Sequence, residues 1–458
     1  MRIRRGCRGS QSVTTEEQLA RRVVETLQAN GETAYFVGGC VRDRMLGRDV
    51  QDWDVATSSA AEKVQSLFER SEEVGAAFGV VLVHGEGAMV EVATFRKDHD
   101  YQDGRRPERV TFTTSVAEDV QRRDFTINGL LYDPVGDEVL DLVNGRADID
   151  AGVVRAIGDP RQRFEEDHLR MLRAVRFAAR LGFEIESGTL AAIQKTAPAI
   201  GRIAAERVRA ELTRILTEGG ARRGMELLDK TGLLAELLPE VVALQGVEQS
   251  PEHHPEGDVW THTLMLLDGL PTEASVTLAM GALLHDIGKP ATFERAADRI
   301  RFHGHVEIGV EMGREICQRL RFSNRETEQI LALIGNHMRF MHVQQMRPGK
   351  LKMFLRQPGF DEHLELHRLD CSASHGHLDN YRFAREALSS YDEEALRPAR
   401  LVDGTALIAD GFESGPAFSA ILSAAEEAQL DGAFDSREAG MVWVRQRWSA
   451  PAGQPVSQ

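Results

Sequence analysis

Apolar positions recur first at helical and then at strand spacing along the start of the chain. Between Thr14 and Asn30, Leu19, Val23, Val24 and Leu27 share one face, which predicts an amphipathic helix. Tyr35-Phe36-Val37 is a short apolar run ending at Gly38-Gly39, and it predicts a strand closed by a glycine turn. Val80 to Val83 and Met89 to Phe95 predict two further strands, joined by a turn at Gly85-Glu86-Gly87. The stretch from Asp98 to Arg109 is polar, carries Gly104, Arg105, Arg106 and Pro107, and reads as a mobile loop. From Phe164 onward the period turns helical and stays so, with Gly415-Pro416 opening a last turn and helix. Strands mixed with helices at the start and helices alone afterwards predict an α+β fold, a head with a small mixed sheet followed by all-α domains.

Composition narrows the class. A chain of 458 residues is too long for one core. Hydrophobic residues make up 42% and charged residues 28%, which is the balance of a globular protein. The formal net charge of -16 excludes a basic field over the whole protein, so a nucleic-acid surface must be a local patch of Lys and Arg. Cys7, Cys40, Cys317 and Cys371 are scattered without a C-x-x-C pair, which argues against a disulfide framework or zinc ribbon and for a reducing cytoplasm. No apolar run approaches a membrane span, and no membrane partner is expected. Met1 to Ser12 is basic without an apolar stretch and reads as a frayed tail, not a signal peptide. The Pro/Gly/Gln/Ser-rich tail beyond Ser449 is expected to be disordered. Nothing in the sequence fixes an oligomeric state.

Three clusters carry candidate chemistry in the first half of the chain. Asp52-Trp53-Asp54 places two carboxylates at i, i+2, which on a strand point to one face while Trp53 points to the other. Two hard oxygen ligands suit Mg²⁺, and two such ions stabilise the attacking and leaving oxygens of an in-line displacement. Backbone at Gly38-Gly39 can approach a triphosphate and Arg42 can neutralise it; the alternative is an ordinary turn with two solvated acids. Glu91 is a candidate third carboxylate on its strand, or a solvated one. Arg123 could hold phosphates and Asp124 could accept a hydrogen bond from a ribose hydroxyl, unless Arg122-Arg123-Asp124 is only a surface ion-pair cluster.

The third cluster is expected on a helix that starts at Glu166 and runs through Arg170, Arg173, Arg176 and Arg180. At about 100° per residue these arginines fall on one arc of roughly 120°. Asp167 and Arg170, at i, i+3, offer an acceptor beside a donor. Cytosine and adenine each show an amino donor beside a ring-nitrogen acceptor, whereas uracil and guanine show a carbonyl beside an N–H. Such a pair would select CTP and ATP without a template. The alternative is an amphipathic helix with solvated salt links.

Taken in order, Gly38-Gly39-x-x-Arg42-Asp43, Asp52-x-Asp54, Val90-Glu91-Val92-Ala93-Thr94-Phe95-Arg96, Arg122-Arg123-Asp124-Phe125-Thr126-Ile127-Asn128 and Glu166-Asp167-x-x-Arg170 resemble the bacterial CCA-adding tRNA nucleotidyltransferases. These belong to the poly(A) polymerase/tRNA nucleotidyltransferase family of the polymerase-β-like superfamily. The match covers Tyr35 to Phe183, and Ile203-Ala204-Ala205-Glu206-Arg207 extends it weakly to Leu216. The resemblance implies template-independent addition of C and A from CTP and ATP to a tRNA 3′ end. It assigns Mg²⁺ to Asp52 and Asp54, the triphosphate to Gly39, Arg42 and Arg123, and the ribose to Asp124. Asp167 and Arg170 would read the base, with Arg173 and Arg176 behind them, and the loop from Asp98 to Arg109 would assist the switch from C to A. Related poly(A) polymerases carry a basic Gly-Arg-Arg-Phe segment where this chain has Gly75-Ala76-Ala77-Phe78, which favours tRNA ends; a CC-adding or A-adding specialist, a poly(A) polymerase, and a phosphohydrolase whose polymerase-like head is a vestigial RNA-binding module remain alternatives. Arg202, Arg207, Arg209 and Arg214 form a candidate RNA-contacting patch.

A second set lies on histidines. His262, His285-Asp286 and Asp370 occur in order, with His305 and His337 between. Imidazole with carboxylate suits Mn, Fe, Ni or Zn better than Mg, and a bound metal can activate water for phosphoester hydrolysis. The set resembles the HD phosphohydrolase superfamily, in which His305 and His337 would be the extra ligands of a two-metal site and His303 the alternative to His305. Some CCA-adding enzymes carry such a domain, similar to a 2′,3′-cyclic phosphodiesterase and phosphatase; the alternative is a metal-stabilised helical domain that only holds tRNA. His253, His254, His342, His363, His367, His375 and His377 have no clear place in the set. The expected organisation is a disordered tail at 1–13, a nucleotidyltransferase head at 14–160 and a helical neck and base-recognition domain at 161–245. An HD-type helical metal domain at 246–395, a helical tail at 396–449 and a disordered end at 450–458 complete it.

Overall fold

Thr14 accepts the Glu17 N–H at 3.1 Å and so starts α1 (Thr15–Ala29). Leu19, Val23, Val24 and Leu27 are buried, as their spacing requires. The structure, a computed structural model, describes residues 14–74, 78–85, 87–99, 109–252, 254–449 and 454–455. The expected tail at 1–13, nearly all of that at 450–458, Gly75 to Ala77, Glu86, most of the polar loop from Asp98 to Arg109, and His253 lie outside these residues.

Two compact units divide the chain, one ending at Pro239 and the other starting at Glu240. The first is built on β1 (Ala34–Val37), β2 (Asp54–Thr57), β3 (Ser71–Glu73), β4 (Val80–His84), β5 (Met89–Thr94), β6 (Arg96–His99), β7 (Arg109–Phe112), β8 (Leu131–Asp133) and β9 (Glu138–Leu140). Seven of these form one sheet in the order β3-β4-β5-β2-β1-β8-β9, while β6 and β7 pair as a separate hairpin. Only β2 and β5 run parallel in that sheet; its other pairs are antiparallel. The sheet is therefore mixed, as an α+β head demands. Val37, Ala56, Phe95, Val120 and Leu131 form part of the core beneath it. The parallel register sets Asp54 directly opposite Glu91.

Four helices of this unit matter to the site: α2 (Gly39–Met45), α3 (Pro160–Glu166), α4 (Leu169–Leu181) and α5 (Ala205–Thr217). The single helix expected from Glu166 onward is corrected to two, α3 ending where it was expected to begin. Asp167 is extended (φ -144°, ψ 103°), and its Oδ1 accepts the Leu169 N–H at 3.1 Å. A short acidic side chain that bonds its own backbone two residues on competes with helix continuation and restarts the helix beyond it.

The second unit is helical, with α6 (Val259–Asp268), α7 (Val276–Leu284), α8 (His305–Arg319), α9 (Asn324–Asn336) and α10 (Phe360–Ala373) around its buried polar centre. A two-stranded hairpin, Glu294–Arg295 with Ile300–Arg301, interrupts the run of helices that the sequence period implies. A Cβ on Gly288 would stand 2.1 Å from the His305 carbonyl oxygen, so glycine is what lets the turn after α7 close on the start of α8. Further helices pack around Leu407 and Phe434 near the C-terminus.

His363 on α10 is buried with neither ring nitrogen hydrogen-bonded, its ring 6.2 Å from that of Phe360. Burial lowers its pKa from 6.5 to about 4. The unfolded chain therefore takes up this proton first, and stability falls as pH drops from about 6.5 toward 4. At pH 5 the penalty from this residue is about 2 kcal/mol. Denaturant unfolding at pH 7.5 and 5 is expected to show a smaller acid loss for His363→Leu than for the parent chain; an equal loss would place the acid sensitivity elsewhere.

Candidate functional site

At the end of β1 the chain turns through Gly38, whose φ of +75° is costly for any residue with a Cβ. The turn leads into α2 and buries Arg42. Its guanidinium grips Asp43 at 2.8 and 2.9 Å, donates to Asn128 Oδ1 at 2.6 Å, and lies 5.1 Å from the centre of the Phe177 ring. Asp52 precedes β2 and is not part of it, a correction to the strand geometry expected for both carboxylates. The alternation survives because Trp53 is buried edge-on to Phe36 at 4.9 Å, which leaves Asp52 and Asp54 to line one cavity. Burial, then the charges of Glu91 and Asp52, push the Asp54 carboxyl up to about 6 against the pull of Arg123. A carboxylate whose proton affinity is raised by neighbouring carboxylates is a donor that a hard divalent cation relieves.

That cavity, about 450 Å³, is lined by every residue expected at the nucleotide site: Gly39, Arg42, Asp52, Asp54, Arg123, Asp124, Asp167, Arg170, Arg173 and Arg176. Arg180 and Arg214 also line it. Buried acids fix its cations. Asp119 holds Arg122 at 2.7 Å and Arg123 at 2.9 Å. Glu211 on α5 holds Arg176 at 2.7 Å. Burial alone would raise the Asp124 pKa, but Arg173 at 2.7 Å, Asn128 and the Phe125 N–H outweigh it and hold the carboxyl at about 2. Asp119 was missed in the sequence, although its i, i+3 and i, i+4 spacing to the two arginines is a local signal; Asn128 sits in the Arg122–Asn128 motif but its partner Arg42 is 86 residues away, and Glu211 gave no local signal.

The i, i+3 neighbours Asp167 and Arg170 do not pair with each other. Arg170 bonds Glu166 at 2.8 Å, while Asp167 bonds Arg207 at 3.2 Å, because the helix break turns the two side chains to different partners. Both still face the same cavity. The expected RNA patch is likewise drawn inward in part: Arg207 is committed to Asp167, and Arg214 is ion-paired with Glu218.

In the second unit the histidine set converges. His262 Nε2 lies 3.1 Å from Asp370 Oδ1 and 3.3 Å from His285 Nε2. Asp286 Oδ1 lies 3.7 Å from Nε2 of both His305 and His337, which are 3.5 Å apart. The ligand atoms fall into two groups of three, His262/His285/Asp370 and Asp286/His305/His337, each within 4.8 Å. Every one of these imidazoles has its Nδ1 engaged: His262 with Glu256, His285 with the Ala282 carbonyl, His305 with Phe302 and His337 with Ile334. Occupied Nδ1 atoms leave each Nε2 aimed at a common centre, which is how metal-ligating histidines are oriented. Hydrogen bonds to Asp370 and Glu256 overcome burial and raise the His262 pKa to about 9, while burial lowers His337 to about 4. Asp286 is held well below the carboxylate range, burial being outweighed by His285 and by Lys289 at 2.6 Å. His303 lines the adjoining cavity of about 450 Å³ but belongs to neither group, and His254, His367 and His375 line it too. Glu256 and Lys289 were missed in the sequence because neither forms a metal-ligand pair by spacing.

Comparison with known proteins follows the same division. Residues 34–155 match the poly(A) polymerase head domain, 182–244 a probable RNA- and SrmB-binding site of polymerase A, and 257–373 the HD domain. A CCA-adding enzyme of Lactiplantibacillus plantarum is 49% identical over 201 residues, 44% of this chain and 49% of that protein. One of Bacillus pumilus is 39% identical over 266 residues, 58% of this chain and 62% of that protein. The chain thus spans about half to three-fifths of the length of these curated relatives. Among solved structures, the Bacillus stearothermophilus CCA-adding enzyme in complex with CTP covers 94% of this chain and 98% of its own, with 26% identity and a TM-score of 0.72. The Thermotoga maritima CCA-adding enzyme complexed with tRNA, at 18% identity and a TM-score of 0.56, shares the fold. Among the described residues no helix is long and apolar enough to cross a membrane.

Proposed function

We propose that this chain, a member of the poly(A) polymerase/tRNA nucleotidyltransferase family, adds C and A nucleotides from CTP and ATP to the 3′ end of tRNA. The observation that carries the reading is the single cavity in which the Asp52/Asp54 carboxylates, the arginines around Arg42 and Arg123, and the Asp167/Arg170 acceptor and donor meet. Asp52 and Asp54 would hold Mg²⁺, which when bound stabilises the oxygens of an in-line displacement. Arg42 and Arg123 bind the triphosphate from positions that Asn128 and Asp119 fix. Asp124, kept ionised by Arg173, would accept a hydrogen bond from a ribose hydroxyl. Asp167 accepts from the amino group of cytosine or adenine, and Arg170 donates to the adjacent ring nitrogen. Residues 14–160 form the head and 161–245 the neck.

The helical domain at 246–395 is read as a phosphohydrolase. Its imidazole and carboxylate donors fit a transition metal such as Mn, Ni, Fe or Zn, held by His262, His285 and Asp370 and by Asp286, His305 and His337. Such a metal, when bound, activates water. Three described cysteines, Cys40, Cys317 and Cys371, are free and buried, which supports a reducing, cytoplasmic setting.

The reading is tested by giving tRNA that lacks its CCA end each of the four nucleoside triphosphates singly, with Mg²⁺. CTP alone is expected to be used at this end. Arg170→Ala is expected to reduce CTP-over-UTP selectivity by about 10- to 100-fold while tRNA affinity changes little. Unchanged selectivity would move base recognition away from α4.

A further inference from the structure

The proposed base readers are held by different parts of the fold, and the inference here rests on that reading of the head. Arg170 is anchored to α3 and to the Arg122 backbone: Nη1 donates to Glu166 Oε2 at 2.8 Å and to the Arg163 carbonyl at 3.1 Å, and Nη2 to the Arg122 carbonyl at 2.9 Å. Three of its five N–H donors are thereby committed, and two remain to face a ligand. Asp167 is placed differently. It sits in the extended break between α3 and α4, outside both helices. One contact, the Leu169 N–H at 3.1 Å, is local. The other comes from α5, where Arg207 Nη2 lies 3.2 Å from Oδ2 and 3.5 Å from Oδ1. A carboxylate offers about four lone-pair sites, so these two contacts leave acceptor capacity on the cavity side.

We infer that Arg207 is a positioning residue for nucleotide selection. It clamps Asp167 so that a free lone pair meets the amino group of cytosine or adenine at the moment that Arg170 meets the ring nitrogen beside it. Uracil or guanine in the same place puts a carbonyl oxygen against a fixed carboxylate and an N–H against a fixed guanidinium. Arg170 is fixed by its own contacts, so the second mismatch stands by itself, whereas the first persists only while Asp167 is unable to swing away. Arg207 thus acts through Asp167 and touches no reacting atom. This differs from a role in gripping the RNA backbone, which would change affinity for tRNA and leave the choice of base alone.

The test measures kcat/KM for CTP and UTP on tRNA lacking CCA, together with tRNA affinity and melting temperature, for the parent chain, Arg207→Ala and Arg207→Lys. The CTP:UTP ratio is expected to fall about 10- to 100-fold in Arg207→Ala, with tRNA affinity within about a factor of two. Arg207→Lys is expected to restore much of the ratio, since one nitrogen makes the contact and an ammonium can replace it. The side chain is 31% exposed, and Arg207→Gln keeps the measurement available should the alanine variant fold poorly. An unchanged ratio overturns the inference, as does weakened tRNA binding with the ratio intact. A parent chain that uses no nucleotide overturns the reading of the head as well, whereas an active parent with an unchanged ratio overturns this inference alone.

Discussion

Asp54→Ala is expected to abolish nucleotide addition, with kcat lower by on the order of 10³-fold or more, while tRNA binds as before. The size follows from what the side chain does. Asp54 lines the cavity, opposite Glu91 in the sheet and within electrostatic reach of Asp52. On the proposed reading, the remaining donors would no longer hold a cation against the triphosphate. The fold itself gains from the change. A carboxyl whose pKa is raised to about 6 in the folded chain destabilises it above that pH, and the penalty is relieved as pH falls through 6 toward the unfolded value. The variant should therefore melt no lower than the parent chain at pH 7.5. Single-turnover incorporation, filter binding of tRNA and a thermal melt give the three readouts. Incorporation at the parent rate would remove Asp54 from the chemistry, and a lower melting temperature would contradict the electrostatic account.

In the second unit the largest effect belongs to Asp286→Asn. This carboxylate is 3% exposed and stands among His285, His305, His337 and Lys289. Losing its charge removes the one carboxylate of the Asp286/His305/His337 group and leaves Lys289 with Gln249 as its remaining buried partner. Bound Mn²⁺ or Ni²⁺, measured by elemental analysis, is expected to fall by at least half. Hydrolysis of a simple phosphodiester such as bis(p-nitrophenyl) phosphate is expected to fall about 100-fold or more. The buried ammonium should cost about 3 kcal/mol or more of stability in this unit. Nucleotide addition by the head is expected to persist. A variant that keeps its metal and its hydrolysis would refute the ligand assignment.

Much of this was legible in the sequence because it is local. The glycine turn, the Asp52/Asp54 spacing and the arginine arc of α4 each lie within a few residues, and periodicity alone places them on turn, strand edge and helix. The break at Asp167 was not legible. Glu166 to Arg170 contains no Pro or Gly, and an Asx-type bond from Asp167 to the Leu169 N–H ends α3 where helical spacing continues. The side chains that hold the cavity arginines and the histidines in place were also hidden. Glu211 reaches Arg176 across 35 residues, Asn128 reaches Arg42 across 86, and Glu256 orients His262 from a turn with no repeating pattern. Such contacts are set by how elements pack, which a single sequence does not encode by spacing. The choice between His303 and His305 was open for the same reason. The close approach of Gly288 to the start of α8 brings His305, and not His303, against Asp286.

The most direct test of the central claim gives the purified protein three tRNAs, ending before CCA, after C and after CC, with CTP and ATP plus Mg²⁺, and reads product length to one nucleotide. The account predicts that all three converge on a single CCA end and stop. Arrest at CC, addition only to the substrate ending in CC, or runs of A beyond the end would contradict it, and no extension of any substrate would contradict it most completely.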